Sequence, residues 1–371
     1  MIPSLANARR LVVKIGSALV VDPEHAAPRL PWLAGIAEDI AALRARGTDV
    51  IVVSSGAIAL ARRALQLNHK RLRLEEKQAA AAVGQIRLAQ AWTEVLSAHG
   101  LTAAQLLLTV EDTEDRRRYL NARATLTTLL GLGCVPVINE NDSVATVEIR
   151  FGDNDRLAAR VAEMVQADQL VLLSDVDGLY TADPRRDGTA RHIPVVEALT
   201  SEIEAMGGEP PPGYSSGGMR TKLAAARIAT GGGVAMAIAL GHTDHPLRAL
   251  AEGARCTWFL PAPEGHSARK RWILGALQPQ GQFSVDAGAV RALGHGSSLL
   301  PAGVRGMEGT FDRGDPVVVL GPDGVKLAHG LSAYASADAA RIIGHHSEEI
   351  EAILGWRGRD EIVHRDDLVL L

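Results

Sequence analysis

Leu11-Val12-Val13-Lys14-Ile15-Gly16-Ser17 is a run of large aliphatic residues broken by one lysine and closed by a glycine and a serine. Apolar residues at both odd and even positions mean that both faces of such a strand are buried, the habit of an internal strand in a parallel sheet. A lysine near the end of an internal strand is not an ordinary solvated lysine. Its ammonium requires an anion, and a phosphate would supply one. If the strand instead lies at a sheet edge, Lys14 is a surface residue. This stretch alone leaves both readings open.

Working outward, the same texture recurs. Short aliphatic runs at Val50–Val53, Leu106–Leu108, Val135–Ile138, Leu170–Leu173 and Val234–Ala239 predict strands. Ala/Leu/Arg-rich segments at Pro31–Arg46, Ala57–Leu65, Glu75–His99, Arg118–Leu130, Asp155–Val165 and Thr221–Ala229 predict the helices between them. Strand and helix in alternation predict an α/β fold with a largely parallel sheet covered on both faces. In such sheets ligands bind where the carboxyl ends of strands meet helix amino ends.

The texture changes after Leu277. Short runs at Val317–Leu320, Val325–Ala328 and Leu368–Leu371, with turn pairs such as Arg313-Gly314 and Asp323-Gly324, predict a small β-rich second domain. Short helices are expected there at Ala337–Ile343 and His346–Leu354. The boundary falls near Pro279-Gln280-Gly281, giving domains over 1–275 and 280–371. Two domains also suit a chain of 371 residues.

Four further segments carry chemistry. Ser54-Ser55-Gly56, at a strand-to-helix turn, presents N–H groups and hydroxyls to an anion, although a plain helix cap explains a lone Ser-Gly as well. Asn139-Glu140-Asn141-Asp142 places four consecutive carboxamides and carboxylates directly after a strand, more than a turn needs, and suits an amino group on a polar small molecule. Asp153-Asn154-Asp155 opens a helix. Its aspartates serve as caps, hold active-site lysines, or reach a magnesium ion through water. Finally, Ser174-Asp175 ends a strand, and Ser216-Gly217-Gly218-Met219-Arg220-Thr221-Lys222 combines glycines, a helix start and a full positive charge. This last segment departs from the GxxxxGK[ST] pattern, because its lysine does not follow a glycine. Two separated lysines, glycine turns and acidic loops are parts suited to phosphoryl transfer, where fixed cations and N–H groups meet the charge on the moving group. No metal-ligand cluster, Cys/His nucleophile pair or GxGxxG turn is recognisable.

Together these blocks resemble a known family. LVVKIGS, VVSSGAIA, AAVGQIRL, YLNAR, PVINENDSVAT, FGDNDRLAA, LLSDVDGLYTADPR and SGGMRTKLAAA are similar, in order, to the blocks of the bacterial glutamate 5-kinase family, within the amino-acid kinase superfamily. KRWI, GSSLLPAGV, RGD, AHGLSAY and IIGHHSEEIEAILG resemble the PUA-type domain appended to many members. The resemblance implies a three-layer α/β/α sandwich followed by a PUA-type domain. It implies ATP-dependent phosphorylation of the side-chain carboxylate of L-glutamate to L-glutamyl 5-phosphate, the first step of proline biosynthesis. It also implies that Lys14 and Lys222 contact the ATP phosphates, with Asp155 orienting them and Asp153 nearby. By the same resemblance Ser55, Asp142 and Asn154 bind glutamate, and Ser174, Asp175 and Ser216 to Lys222 bind nucleotide. Magnesium, a homo-oligomer (dimer or tetramer) and feedback inhibition by proline are implied as well. Ser54 and Ser174 stand where the family pattern has threonine, each keeping a hydroxyl, and Tyr214-Ser215-Ser216 replaces a more glycine-rich stretch.

Rivals remain at this level. Another amino-acid kinase, acting on acetylglutamate, aspartate, carbamate or a nucleoside monophosphate, shares much of this pattern. An RNA-binding role through the PUA-type domain is opposed by charge. From Ala276 to Leu371, eight Lys/Arg face thirteen Asp/Glu, the wrong sign for a phosphate backbone. The whole chain carries −4, with 47% hydrophobic and 22% charged residues, an ordinary globular mixture. No apolar run reaches about 18 residues and no signal-peptide pattern opens the chain, so a cytoplasmic location is expected. Cys134 and Cys256 lie in apolar stretches and are expected as two buried, reduced thiols.

Overall fold

The computed structural model describes residues 3–67, 72–145, 154–208, 218–261 and 279–371. The chain divides into two compact units, Met1–Gly265 and His266–Leu371. The boundary expected near Pro279 adjoins residues 262–278, which lie outside the described ones.

The first unit is built on eight strands: β1 (Arg10–Ile15), β2 (Asp49–Ser54), β3 (Ala103–Leu108), β4 (Val135–Glu140), β5 (Gln169–Ser174), β6 (Val195–Val196), β7 (Ala235–Leu240) and β8 (Cys256–Phe259). Their spatial order is β6-β8-β7-β5-β1-β2-β4-β3. All neighbours are parallel except β7 and β8. β1 is internal, with Lys14 in register with Val53 of β2 on one side and Leu172 of β5 on the other. The surface-lysine alternative is thereby excluded.

Alternation along β1 assigns its side chains to two layers. Leu11, Val13 and Ile15 join a core with Trp32, Leu33 and Ile36 of helix α1 (Leu30–Ala45) and Leu88 and Trp92 of helix α2 (Leu74–Ser97). Val12 joins a second core, with Leu126 of α3 (Arg116–Gly131), Leu157 and Val161 of α4 (Asn154–Met164), and Leu223 and Ala226 of α5 (Met219–Gly231). Helices therefore cover both faces, the three-layer α/β/α arrangement expected. Lys14 shares the parity of Val12, which sends it toward the layer of α4 and α5. Local signals set the helix ends. Pro31 lies in the first turn of α1, Gly47 (φ 86°) follows its end, and the Asp115 carboxylate accepts from Arg118 N–H at the start of α3.

Most expected elements are present with shifts of one to three residues at their ends. The helix expected over Ala57–Leu65 is shorter, Ala57–Ala61, and is followed by a turn. β6 and β8 were not anticipated. Both free cysteines are half-buried rather than fully buried. Burial pushes the Cys256 thiol up.

The second unit holds a separate sheet of β9 (Gly281–Val285), β10 (Val304–Gly309), β11 (Pro316–Leu320), β12 (Lys326–Leu331) and β13 (Leu368–Leu370). The order is β10-β9-β11-β12-β13, around a core including Phe283, Phe311, Tyr334 and Ile362. Helices occur at Ala287–Gly294, Ser336–Ile342 and Ile350–Leu354. Among the described residues no helix is long and apolar enough to cross a membrane.

Candidate active site

The carboxyl ends of the parallel strands gather the polar residues. Beyond β1 the chain turns at Gly16, and beyond β2 at Ser55 and Gly56. The Ser55 N–H donates to the Ile15 carbonyl at 3.1 Å, tying these two strand ends together. Gly56 has φ 121°, and a Cβ there would lie 3.0 Å from Val21 Cγ2, so the turn needs glycine on both counts.

Over this edge lies an ion cluster from three distant segments. Lys14 Nζ is 2.5 Å from Asp155 Oδ1, and Lys222 Nζ is 3.1 Å from Asp155 Oδ2. Asp155 is 0% exposed, Lys14 8% and Lys222 7%, so among the described residues two cations meet on one dry carboxylate. Burial pushes the Asp155 carboxyl up. The charges of Lys14 and then Lys222, with hydrogen bonds from both, overrule burial and hold it at about 2. Thr221 Oγ1 accepts from Gly218 N–H at 3.2 Å and lies 3.0 Å from Asp155 Oδ2 and 2.9 Å from the Gly218 carbonyl. The start of α5 is thus latched to the same carboxylate. Taking ions out of water costs several kcal/mol each, so a buried cluster with two cations to one carboxylate among the described residues makes poor sense as packing and good sense as a receptor for an anion.

Beside the cluster runs a neutral network. Asn154 Nδ2 donates to Ser55 Oγ at 2.6 Å and to Asn139 Oδ1 at 2.8 Å. Asn139 Nδ2 donates to Gln85 Oε1 of α2 at 2.9 Å, while its Oδ1 also accepts from Glu140 N–H at 2.9 Å. Trp92 Nε1 of α2 donates to Ser54 Oγ at 3.0 Å.

The sequence-expected residues fall as follows. Lys14, Lys222 and Asp155 meet directly, and Ser55 and Asn154 meet each other beside them. Asp142 is half-buried in the turn after β4. Ser174 ends β5, and its hydroxyl donates to Asp175 Oδ1 at 3.0 Å. Asp175 is exposed and faces Arg185 at 3.6 Å. Gly218 precedes α5, Arg220 is exposed, and Met219 is half-buried against the second core. Asp153, Ser216 and Gly217 lie outside the described residues. Asn139 belongs to the expected Asn139–Asp142 segment, whereas Gln85, its partner, lies outside the segments expected to carry chemistry. A lone buried glutamine in the Ala-rich AAVGQIRL helix was the available signal.

Comparison with known proteins places this sheet and its ion cluster in a family. The model of the amino acid kinase family matches residues 9–239, and that of the PUA domain matches residues 281–354. The glutamate 5-kinase of Gluconobacter oxydans is 65% identical over 99% of this chain and 97% of its own. The chain belongs to the glutamate 5-kinase family. The Paracoccus denitrificans and Paramagnetospirillum magneticum glutamate 5-kinases are 62% and 61% identical, each across 99% of both chains. As a member of this family the protein is a kinase, and the lysine–carboxylate cluster and the Ser55–Asn154–Asn139 network both lie within its matched amino acid kinase region.

Proposed function

We propose that the protein transfers the γ-phosphoryl group of ATP to the side-chain carboxylate of L-glutamate, giving L-glutamyl 5-phosphate and ADP, the first step of proline biosynthesis. The observation that carries this reading is the meeting of Lys14 and Lys222 on the two oxygens of buried Asp155. A carboxylate oxygen of glutamate attacks the γ-phosphorus, and the bond from that phosphorus to the β,γ-bridging oxygen breaks, so ADP leaves with the electron pair. The attacking carboxylate has a pKa of about 4.3, so it is ionised at neutral pH and no general base is needed. The obstacle is repulsion between two anions. Lys14 and Lys222 offset it, held in place by Asp155, and act mainly through positioning and electrostatics.

Ser55, Asn154 and Asp142 hold glutamate in this proposal, with hydroxyl and amide groups for its carboxylates and the Asp142 carboxylate for its ammonium. Ser174, Asp175 and the Ser216–Lys222 segment hold the nucleotide. Among the described residues no three His, Cys, Asp or Glu side chains are gathered as a metal site, and Asp155 is engaged by the lysines. Magnesium would enter with ATP, whose phosphate oxygens are the hard ligands that this ion prefers. A homo-oligomer (dimer or tetramer), inhibition by proline and a cytoplasmic location complete the proposal.

A coupled ADP-release assay tests it. L-Glutamate should elicit ADP release that proline suppresses, while acetylglutamate, aspartate and carbamate should not. Activity on acetylglutamate or aspartate with none on glutamate refutes the assignment.

A further inference from the structure

Helix α2 sends three polar side chains toward this edge of the sheet at intervals of seven residues. Seven residues is close to two helical turns, so Gln78, Gln85 and Trp92 share one face. Gln78 Nε2 donates to the Ala145 carbonyl at 3.2 Å, holding the end of the turn that contains Asp142. Gln85 holds Asn139, and Trp92 holds Ser54. Among the described hydrogen bonds, none of the three side chains reaches Lys14, Lys222 or Asp155. Their contacts fall on the side of Ser55, Asp142 and Asn154. The approach is close: a Cβ on Gly84 would lie 1.7 Å from the Ala57 carbonyl, so only glycine lets α2 pack this near to the Ser55-Gly56 turn.

The direction of each bond is determined from the backbone outward. Glu140 N–H can only donate, so the Asn139 atom that receives it is Oδ1. Asn139 Nδ2 is then turned to Gln85, which must accept. Asn139 Oδ1 also receives Asn154 Nδ2, whose contact with Ser55 Oγ is therefore a donation as well. The Ser55 hydroxyl proton is left to donate, and Asn154 Oδ1 is left to accept. Those are the polarities that a carboxylate and an ammonium require. Without the Gln85 acceptor, buried Asn139 keeps an unpaired N–H. Flipping its amide would instead crowd the Glu140 and Asn154 donors against a third donor.

We infer that the Gln78–Gln85–Trp92 face of α2 is a positioning element for the amino-acid substrate, with Gln85 as its central residue. This inference rests on the reaction proposed above. The test measures kcat, KM for each substrate and Tm for the full-length wild type and for Gln85→Leu and Gln78→Leu. Gln85→Leu should raise the glutamate KM about 10-fold while the ATP KM stays within about twofold. Gln78→Leu, at a half-buried position, should move the same constant in the same direction by about threefold. Unchanged glutamate KM in both variants, or a proportional rise of both KM values with a lowered Tm, overturns the inference. If Gln85→Leu fails to fold, Gln78→Leu decides alone by the same criterion. A wild type that releases no ADP with glutamate overturns the parent reading and takes this one with it. Wild-type activity with unmoved variants overturns this one only.

Discussion

Replacing Asp155 with asparagine keeps the shape of the side chain and removes its charge from beneath two ammonium groups. At 2.5 and 3.1 Å, each lysine–carboxylate attraction is worth about 5–7 kcal/mol at an effective dielectric of about 20. Much of that offsets the desolvation of the ions, so the net cost of breaking such a buried arrangement is about 3–5 kcal/mol. The lysines would also lose the bridge that fixes their separation. An electrostatic contact made only in the transition state is worth about 10²–10³ in kcat, and Asp155→Asn should lose at least that much. Urea unfolding of the kinase unit, followed by tryptophan fluorescence, reads the first quantity, and single-turnover ADP release reads the second. A variant destabilised by less than about 1 kcal/mol, with kcat within about threefold of the wild type, refutes the idea that this carboxylate organises the two cations.

Lys222→Ala should lower kcat by about 10²–10³ with an unchanged far-UV spectrum; near-normal turnover removes Lys222 from the chemistry. Asp142→Ala should raise the glutamate KM several-fold more than the ATP KM, and equal rises would contradict a substrate-side role. Acid unfolding should carry the signature of Asp155. Its folded value of about 2 lies below the ordinary 3.8, so the ionised group favours the native state above pH about 4. That contribution, about 2 kcal/mol, is lost as pH falls from 4 through 2, and the difference between wild type and Asp155→Asn should shrink over that window.

The parts of the fold that were legible are those whose pattern is local. The strand containing Lys14 shows apolar residues at both parities, and its neighbours repeat the pattern, so the parallel sheet and its two covering layers were visible. β8 was not, because Cys256–Phe259 is only four residues long and reverses direction beside β7, which depends on tertiary pairing. In the second unit, β10 reads Val-Arg-Gly-Met-Glu-Gly, where two glycines dilute the strand signal. The helix from Ala57 stops early because Arg62 to Gln66 run into a turn, with Gln66 at φ 52°. In the site, charge made the lysines and Asp155 conspicuous. The Gln85–Asn139 bond joins residues 54 positions apart and carries no charge, so the sequence displays each residue but not their pairing.

The two-sided burial of β1 also governs which changes of length this protein tolerates. Because alternate residues serve opposite layers, one residue inserted or deleted between Arg10 and Lys14 would exchange the two apolar sets and carry the Lys14 ammonium to the α1–α2 side, away from Asp155. Inserting or deleting two residues keeps the alternation and shifts the strand only along its axis. Directed-evolution libraries should therefore recover active length variants in this stretch at even counts and lose activity at odd ones.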